Sequence, residues 1–119
     1  MATTRALETD RAAVIAVADR YLQSGLVGHD APNVPLAADC TRHENGHNSG
    51  ASGPAIAAGL KMMSITGIRN LKWVVEDQQA VAIYELDGSR GVVFITEYFR
   101  VADGKIKEII ATFTSNRPA

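Results

Sequence analysis

Hydrophobic and polar positions alternate through the second half of the chain, and this alternation predicts β-strands. A hairpin is predicted where two alternating runs flank Asp77-Gln78-Gln79, and Ala102-Asp103-Gly104 marks a second hairpin turn. The pattern therefore predicts four successive antiparallel strands, at residues 70–76, 80–86, 92–101 and 105–114.

The first half has a different period. Between residues 8 and 24 the apolar side chains recur at the spacing of one helix face, with Thr9 or Asp10 as the cap and Gly25 as the end. The apolar positions of this helix are Leu7, Val14, Ile15, Ala18, Tyr21 and Leu22.

Glycine and proline divide the residues that follow this helix. Residues 25–37 are predicted to be a loop with at most one short helical turn, residues 38–47 a short strand, and residues 48–54 a turn-rich loop. A second helix is expected to begin at Ser52 or Gly53, with Pro54 in its first turn, and to run to about Met63.

The order of these elements predicts an α+β fold. Helices pack on one face of a curved antiparallel sheet, and the concave face and the helices enclose an internal pocket. No stretch has the composition of a linker, so residues 1–119 are expected to form one domain.

Composition narrows the class of protein. Apolar residues make up 46% and charged residues 21% of the chain, as in ordinary globular proteins, and the net charge is −1. Lys and Arg form no basic stripe, which argues against nucleic acid as a partner. No apolar run reaches the ~18 residues of a membrane span, and the first ten residues lack an apolar signal core, so a cytoplasmic protein is expected. The lone cysteine, Cys40, is interpreted as a small core residue.

Glu97 is the residue that most directly indicates chemistry. Strand alternation places its carboxyl group on an otherwise apolar face with Val93, Ile95, Phe99 and Val101. Burying an unpaired carboxylate is costly, so the group either holds its proton, which suits acid–base catalysis, or pairs with an arginine. Both interpretations are open at this point.

The segment His43-Glu44-Asn45-Gly46-His47 matches the zinc-protease pattern H-E-x-x-H. In a helix its two histidines lie about 6 Å apart along the axis, whereas in a strand they lie about 13 Å apart and cannot share an ion. Because Asn45-Gly46 is a poor helix interior, we expect a strand and no metal.

Three segments carry a resemblance to a known family. The run 96–106 resembles the closing hairpin of the nuclear transport factor 2-like superfamily, the run 38–46 is similar to its first strand, and Asp19-Arg20-Tyr21-Leu22 with Gly28-His29-Asp30 is similar to its first helix and the following turn. This superfamily includes ketosteroid isomerases, polyketide cyclases of the SnoaL type and limonene epoxide hydrolase. The resemblance implies a single SnoaL-like domain with a cystatin-like cone.

The resemblance also implies roles for three residues. By similarity to the ketosteroid isomerases, Tyr21 is the oxyanion-hole tyrosine, Glu44 is the proton-shuttling carboxylate, and Glu97 is a protonated acid that donates to the developing oxyanion. Both carboxylates are Asp in those enzymes, and the proline after their base is replaced here by Asn45-Gly46. Similarity to limonene epoxide hydrolase implies an Asp-Arg-Asp set that activates water, for which this chain offers Arg42 or Arg100 with glutamates at a different spacing.

These interpretations lead to one leading function and one alternative. The leading hypothesis is a cofactor-free enzyme that isomerises, cyclises or hydrolyses a small apolar carbonyl, enol or epoxide substrate; an Arg42–Glu44 salt bridge would count against it, because it would tie up the base. The alternative is a non-catalytic binding or dimerisation domain. The family resemblance implies a homodimer through the outer sheet face that carries Phe94 and Tyr98. The residues expected to contact substrate are Arg42, His43, Asn45, Trp73, Phe99 and Met63.

Overall fold

Six strands form one curved, open sheet in the computed structural model, which describes the backbone of residues 2–63, 65–89 and 91–115 and the side chains of residues 10–63, 65–89 and 91–114. The strand order is β2-β1-β6-β5-β4-β3. Every neighbouring pair is antiparallel except β1 and β6, which are parallel, so the predicted antiparallel sheet is in fact mixed. The strands are β1 (Leu36–Glu44), β2 (His47–Gly50), β3 (Ile65–Glu76), β4 (Gln79–Gly88), β5 (Gly91–Ala102) and β6 (Lys105–Ser115).

Two α-helices and two irregular helical segments complete the fold. Helix α1 (Ala2–Arg20) continues as a π-helix (Tyr21–Val27), a 3₁₀ turn spans Ala31–Asn33, and α2 covers Gly53–Leu60. The predicted cap at Thr9 or Asp10 is wrong, because α1 already includes both residues. The loop predicted for residues 25–37 is shorter than expected, because the π-helix extends to Val27 and β1 begins at Leu36; between them lies one short turn, as the prediction allowed. Helix α2 ends three residues before Met63.

Gly25 does not end the first helix as predicted. It lies within the π-helix, and a Cβ atom there would come within 3.1 Å of the side chains of Leu60 and Val34. The glycine therefore allows α2 and Val34, which directly follows the 3₁₀ turn, to pack closely against the π-helix.

Strand β2 was not predicted from the sequence. The expected strand over residues 38–47 ends at Glu44, and Asn45 and Gly46 form a tight turn with φ values of +46° and +86°. Two successive residues with positive φ are typical of the two-residue hairpin turn that Asn-Gly favours. This dipeptide was the signal for the β1–β2 hairpin.

The C-terminal half agrees closely with the prediction. The expected hairpins join β3 to β4 and β5 to β6, and Asp103 and Gly104 both have positive φ. Strand β3 begins at Ile65, earlier than expected. The prediction missed its first residues because the alternation of side chains is interrupted by an irregularity between Arg69 and Lys72. Ser52 is the helix cap, since its hydroxyl accepts a hydrogen bond of 3.2 Å from the backbone N–H of Ala55.

The core lies between the inner face of the sheet and the helices. Its largest fully buried apolar side chains are Tyr21, Leu22, Leu60, Phe99, Ile106 and Ile109. Within the described part of the chain, no helix is both long and apolar enough to cross a membrane.

Two glycines of α2 give opposite predictions when each is replaced by alanine. A Cβ atom at Gly53 would lie 2.4 Å from the backbone carbonyl oxygen of Ala37, and backbone cannot move aside cheaply. We expect Gly53→Ala to lower the free energy of unfolding by about 1–3 kcal/mol. A Cβ atom at Gly59 would meet no atom of the described residues within 4 Å, so Gly59→Ala should raise it by about 0.5–1 kcal/mol. Urea unfolding of both variants checks the contrast; equal effects would contradict the close approach at Gly53.

Candidate active site

Arg42 lies at the centre of a cluster of polar side chains on the inner face of the sheet. Its Nη2 donates a hydrogen bond of 3.0 Å to Oε2 of Glu97. Its Nη1 donates to Oε1 of Glu44 and, over 3.0 Å, to the hydroxyl of Ser49. One guanidinium therefore joins β1, β2 and β5, with a carboxylate on each side of it.

Glu97 is fully buried, as strand alternation predicted. In addition to the bond from Arg42, its Oε1 accepts a hydrogen bond of 2.6 Å from the hydroxyl of Tyr84 on β4. Each carboxylate oxygen thus accepts from a donor, so the protonated, donating Glu97 implied by the isomerase resemblance does not agree with these contacts. The other interpretation of the sequence, an inward glutamate paired with an arginine, does.

The sheet register explains how the two glutamates come together. Glu97 is opposite Ala111 of β6, and Ala111 is opposite Glu44 of β1, so the three residues lie in one row across the sheet. On the other side Glu97 is opposite Ala82. Because both direct neighbours of Glu97 are alanines, the row leaves space for the long side chain of Arg42 to reach both carboxylates.

Tyr21 places its ring against this cluster from the π-helix. The Cζ of Arg42 lies 5.9 Å from the centroid of the Tyr21 ring, within the range of a cation–π contact. Among the described residues, neither the Tyr21 hydroxyl nor Nε of Arg42 has a hydrogen-bond partner, although both atoms are buried. Buried polar groups in native proteins are almost always paired, so these two neighbouring groups call for an acceptor, which a water molecule or an oxygen atom of a ligand can supply.

Burial and charge set the protonation of the tyrosines and the arginine. Burial raises the pKa of Tyr21 and Tyr84 well above the ordinary value, and the negative charge of Glu97 adds to the effect. Burial by itself would lower the pKa of Arg42, but the neighbouring Glu97 and Glu44 more than offset it and raise that pKa. Both hydroxyls are therefore hydrogen-bond donors, and the guanidinium keeps its charge.

The cluster runs from the protein interior to the solvent. Glu97 and Tyr84 are buried, whereas the side chain of Glu44 is 32% exposed and Ser49 is an exposed residue of the edge strand β2. Glu44 is therefore the carboxylate that bulk water reaches.

Two of the residues expected to contact substrate lie away from this cluster. His43 is opposite Ile110, which faces the outer side of the sheet. Asn45 is a turn residue whose Oδ1 accepts a hydrogen bond of 3.0 Å from the backbone N–H of Phe113. Its contact is structural, because it ties the β1–β2 turn to β6.

The other predicted residues are part of the interior. Phe99 is fully buried, with its ring centroid 5.6 Å from that of Tyr21 and 6.2 Å from that of Trp73. Met63 packs against the core beyond the end of α2. Cys40 is a buried core residue, and burial raises the pKa of its thiol to about 11, so it is not poised as a nucleophile.

The segment that matches H-E-x-x-H forms a strand, a turn and a second strand. The helix on which two metal-binding histidines would share a face is therefore not formed, as expected. No group of three or more potential metal ligands occurs in the described ranges.

Two residues of the cluster were not singled out from the sequence. Tyr84 shares the inner face of β4 with Ala80 and Ala82, so a polar aromatic in an apolar row was the available signal. Ser49 carried no signal, because β2 itself was not expected.

Comparison with known protein families gives one match. The family model described as "Domain of unknown function (DUF8021)" matches residues 8–113. A search of curated proteins found no match.

Solved structures of the nuclear transport factor 2-like fold are similar to this chain. An NTF2-like protein from Cytophaga hutchinsonii has a TM-score of 0.75 at 12% identity, covering 85% of this chain and 89% of its own. A proposed ketosteroid isomerase from Kribbella flavida has a TM-score of 0.78 at 12% identity, covering 92% of this chain and 84% of its own. An LEH-like epoxide hydrolase from M. tuberculosis has a TM-score of 0.71 at 18% identity, covering 87% of this chain and 84% of its own. The chain therefore has the α+β NTF2-like cone, and at these identities the likeness extends to the fold alone.

Proposed function

This chain belongs to the family described as "Domain of unknown function (DUF8021)", and we propose that it is a cofactor-free acid–base enzyme. Its reaction would be the addition of water to a small apolar epoxide. The observation that carries this proposal is Arg42 held between the carboxylates of Glu44 and Glu97. Such a carboxylate–arginine–carboxylate set is what the resemblance to limonene epoxide hydrolase implies, with glutamates in place of aspartates. The similarity of the fold to an LEH-like epoxide hydrolase supports the same choice.

Each residue of the cluster has a role in this proposal. The Tyr21 hydroxyl and the Nε–H of Arg42 donate hydrogen bonds to the epoxide oxygen, which bears the charge that develops as the ring opens. Glu44, the carboxylate nearest to solvent, takes a proton from water while the water oxygen bonds to an epoxide carbon and the carbon–oxygen bond breaks. The alkoxide then receives that proton through Glu44, so the product is a vicinal diol and the enzyme is regenerated.

The Arg42–Glu44 salt bridge, which was expected to count against an enzyme because it ties up the base, is present, so the proposal depends on how the arginine shares its donors. Nη1 of Arg42 is shared between Glu44 and Ser49, and the second oxygen of Glu44 has no hydrogen bond among the described side chains. The arginine therefore orients the carboxylate while one oxygen stays available to water. The same contacts argue less well for an isomerase, because Glu97 already accepts two hydrogen bonds.

The direct test is incubation of the purified protein with cyclohexene oxide and styrene oxide in water labelled with oxygen-18. We expect diols that carry one labelled oxygen, formed faster than in buffer. A protein that leaves the epoxides unchanged but exchanges the α-hydrogens of ketones with deuterated solvent would be an acid–base enzyme of the isomerase type. A purified protein that shows neither epoxide hydration nor hydrogen exchange would overturn the enzyme proposal.

A non-catalytic binding or dimerisation domain is the second candidate, and the interior favours it. The centre of the cone is occupied by side chains, since Tyr21, Leu22, Leu60 and Phe99 are each 0–1% exposed. The internal pocket therefore stays a prediction. A protein that forms dimers but neither binds ketones nor hydrates epoxides would identify a dimerisation domain.

We also propose that the outer face of the sheet pairs two copies of the chain. Exposed apolar side chains occupy this face beside a groove of about 220 Å³, which both Lys72 and Glu85 line. Because these two charges are opposite, a two-fold axis can place the lysine of each copy against the glutamate of the other, as an isologous interface requires. The exposed apolar residues are Val74, Ile83, Phe94 and Ile110.

The dimer makes a prediction for Phe94, whose side chain is 56% exposed. Placing a charge there buries it unpaired in the interface, so Phe94→Glu should convert a dimer to a monomer in sedimentation velocity. Met62→Glu is the control, because Met62 is exposed but lies beyond the end of α2. A wild-type protein that is monomeric at tens of micromolar would contradict the proposal.

A further inference from the structure

Tyr84, Glu97 and Arg42 form a chain of hydrogen bonds in which one donor of Arg42 has no partner among the described residues. Arginine and a carboxylate prefer a bidentate arrangement in which two nitrogens donate to two oxygens. Arg42 and Glu97 do not adopt it: a single bond joins Nη2 to Oε2, and Nε has no partner among the described residues.

The hydroxyl of Tyr84 accounts for this departure. It donates to Oε1 of Glu97 over 2.6 Å, and this oxygen is the one that a side-on pairing would bring to Nε. A carboxylate oxygen can accept more than one hydrogen bond, so the effect of Tyr84 is on orientation: its bond holds the carboxylate of Glu97 at a rotation in which Oε1 makes no hydrogen bond with Nε of Arg42. Burial and the charge of Glu97 keep the tyrosine protonated, so it remains a donor.

The far side of the guanidinium is held as well. Nη1 is bound to Glu44 and Ser49, so the guanidinium plane is fixed at both Nη atoms, and among the described contacts Nε is the nitrogen left without a partner. Without Tyr84, a small rotation of the Glu97 carboxylate would be enough to capture Nε.

We propose that Tyr84 is a positioning residue that keeps Glu97 monodentate and so leaves the Nε–H of Arg42 free to bind the oxygen of the substrate. The inference rests on the proposed function, because it assigns Nε to the substrate oxygen. Tyr84 touches neither substrate nor water in this role and acts through Glu97 alone.

The test compares Tyr84→Phe with Tyr98→Phe, which also loses a tyrosine hydroxyl. The Tyr98 hydroxyl donates to Gln79 over 2.8 Å on the outer face, so its loss should leave the cluster unchanged. The readout is the nitrogen-15 NMR signal of the Arg42 Nε–H, observed alone and during titration with cyclohexanone, whose oxygen is an acceptor and which water does not open.

In the wild type and in Tyr98→Phe, cyclohexanone should shift the Arg42 Nε–H signal. In Tyr84→Phe the proton should resonate downfield before any cyclohexanone is added, because Glu97 has captured it, and the affinity for cyclohexanone should fall at least about 10-fold, the worth of one hydrogen bond. An unchanged signal and an affinity within twofold of the wild type would overturn the inference.

A double variant tests whether the effect of Tyr84→Phe acts through Glu97 or comes from a general disturbance of the structure. Glutamine has one acceptor oxygen and cannot pair side-on, so Tyr84→Phe combined with Glu97→Gln should free Nε and restore its response to cyclohexanone. No restoration would count against the positioning role. The Arg42 Nε–H signal measured without cyclohexanone tests the role of Tyr84 even if the wild type binds no ketone. Failure of the wild type to bind cyclohexanone would overturn the proposed substrate site instead.

Discussion

Replacing Arg42 with methionine is expected to lower the free energy of unfolding by about 3–5 kcal/mol, the usual cost of removing one partner from a buried ion pair. Glu97 is fully buried and would retain only the hydrogen bond from Tyr84. The cost comes from the carboxylate left without a counter-charge rather than from the lost attraction itself. Urea unfolding followed by the fluorescence of Trp73, the only tryptophan of the chain, measures it.

Arg69→Met is the matched control for this variant. Arg69 pairs with Asp87 over 2.9 Å, but its side chain is 53% exposed, so the loss should stay below about 1 kcal/mol. Combining Arg42→Met with Glu97→Met removes both buried charges, and we expect the double variant to recover most of the lost stability. A small effect of Arg42→Met alone would mean that Glu97 does not depend on this arginine.

Local patterns were sufficient to place Glu97. The alternation of side chains in a strand depends only on neighbouring residues, so the inward direction of its carboxyl group followed from the sequence. The same reasoning fixed the β5–β6 hairpin, where Asp103-Gly104 specifies the turn. Elements whose signal is confined to a few residues were therefore predictable.

Contacts between distant segments were not. Arg42 and Glu97 are 55 residues apart, and they meet because β1 pairs with β6 in parallel. Nothing in either segment specifies that pairing, since parallel neighbours are joined through long connections rather than turns. The choice between a neutral Glu97 and one paired with an arginine depended on this contact, and so it stayed open in the sequence.

The polar residues around Arg42 were missed for related reasons. Tyr84 can be linked to Glu97 only once β4 is known to lie beside β5, because a tyrosine on a buried face is more often simply core. Ser49 depends on an edge strand of four residues that has almost no apolar character. Strands are recognised in a sequence mainly by the apolar residues that they bury, and three of the four residues of β2 are exposed.

Glu44→Gln should reduce the rate of diol formation by about 10²–10⁴-fold, the usual contribution of a general base. Glutamine keeps the size of the side chain and can still accept a hydrogen bond from Arg42, but it cannot take a proton from water. Because Glu44 is partly exposed at the end of β1, the fold should be nearly unaffected, with a change in unfolding free energy of no more than about 1 kcal/mol.

Glu108→Gln is the matched control for this loss of activity. Glu108 also pairs with an arginine, Arg100, and its side chain is 33% exposed against 32% for Glu44, but the pair lies on the outer face of the sheet. The two substitutions therefore remove the same charge from equally exposed glutamates, one beside the buried Arg42 and one beside the 46% exposed Arg100, and only the first should slow the reaction. Equal rates in both variants would remove Glu44 from the mechanism and leave the buried arginine pair with a purely structural role.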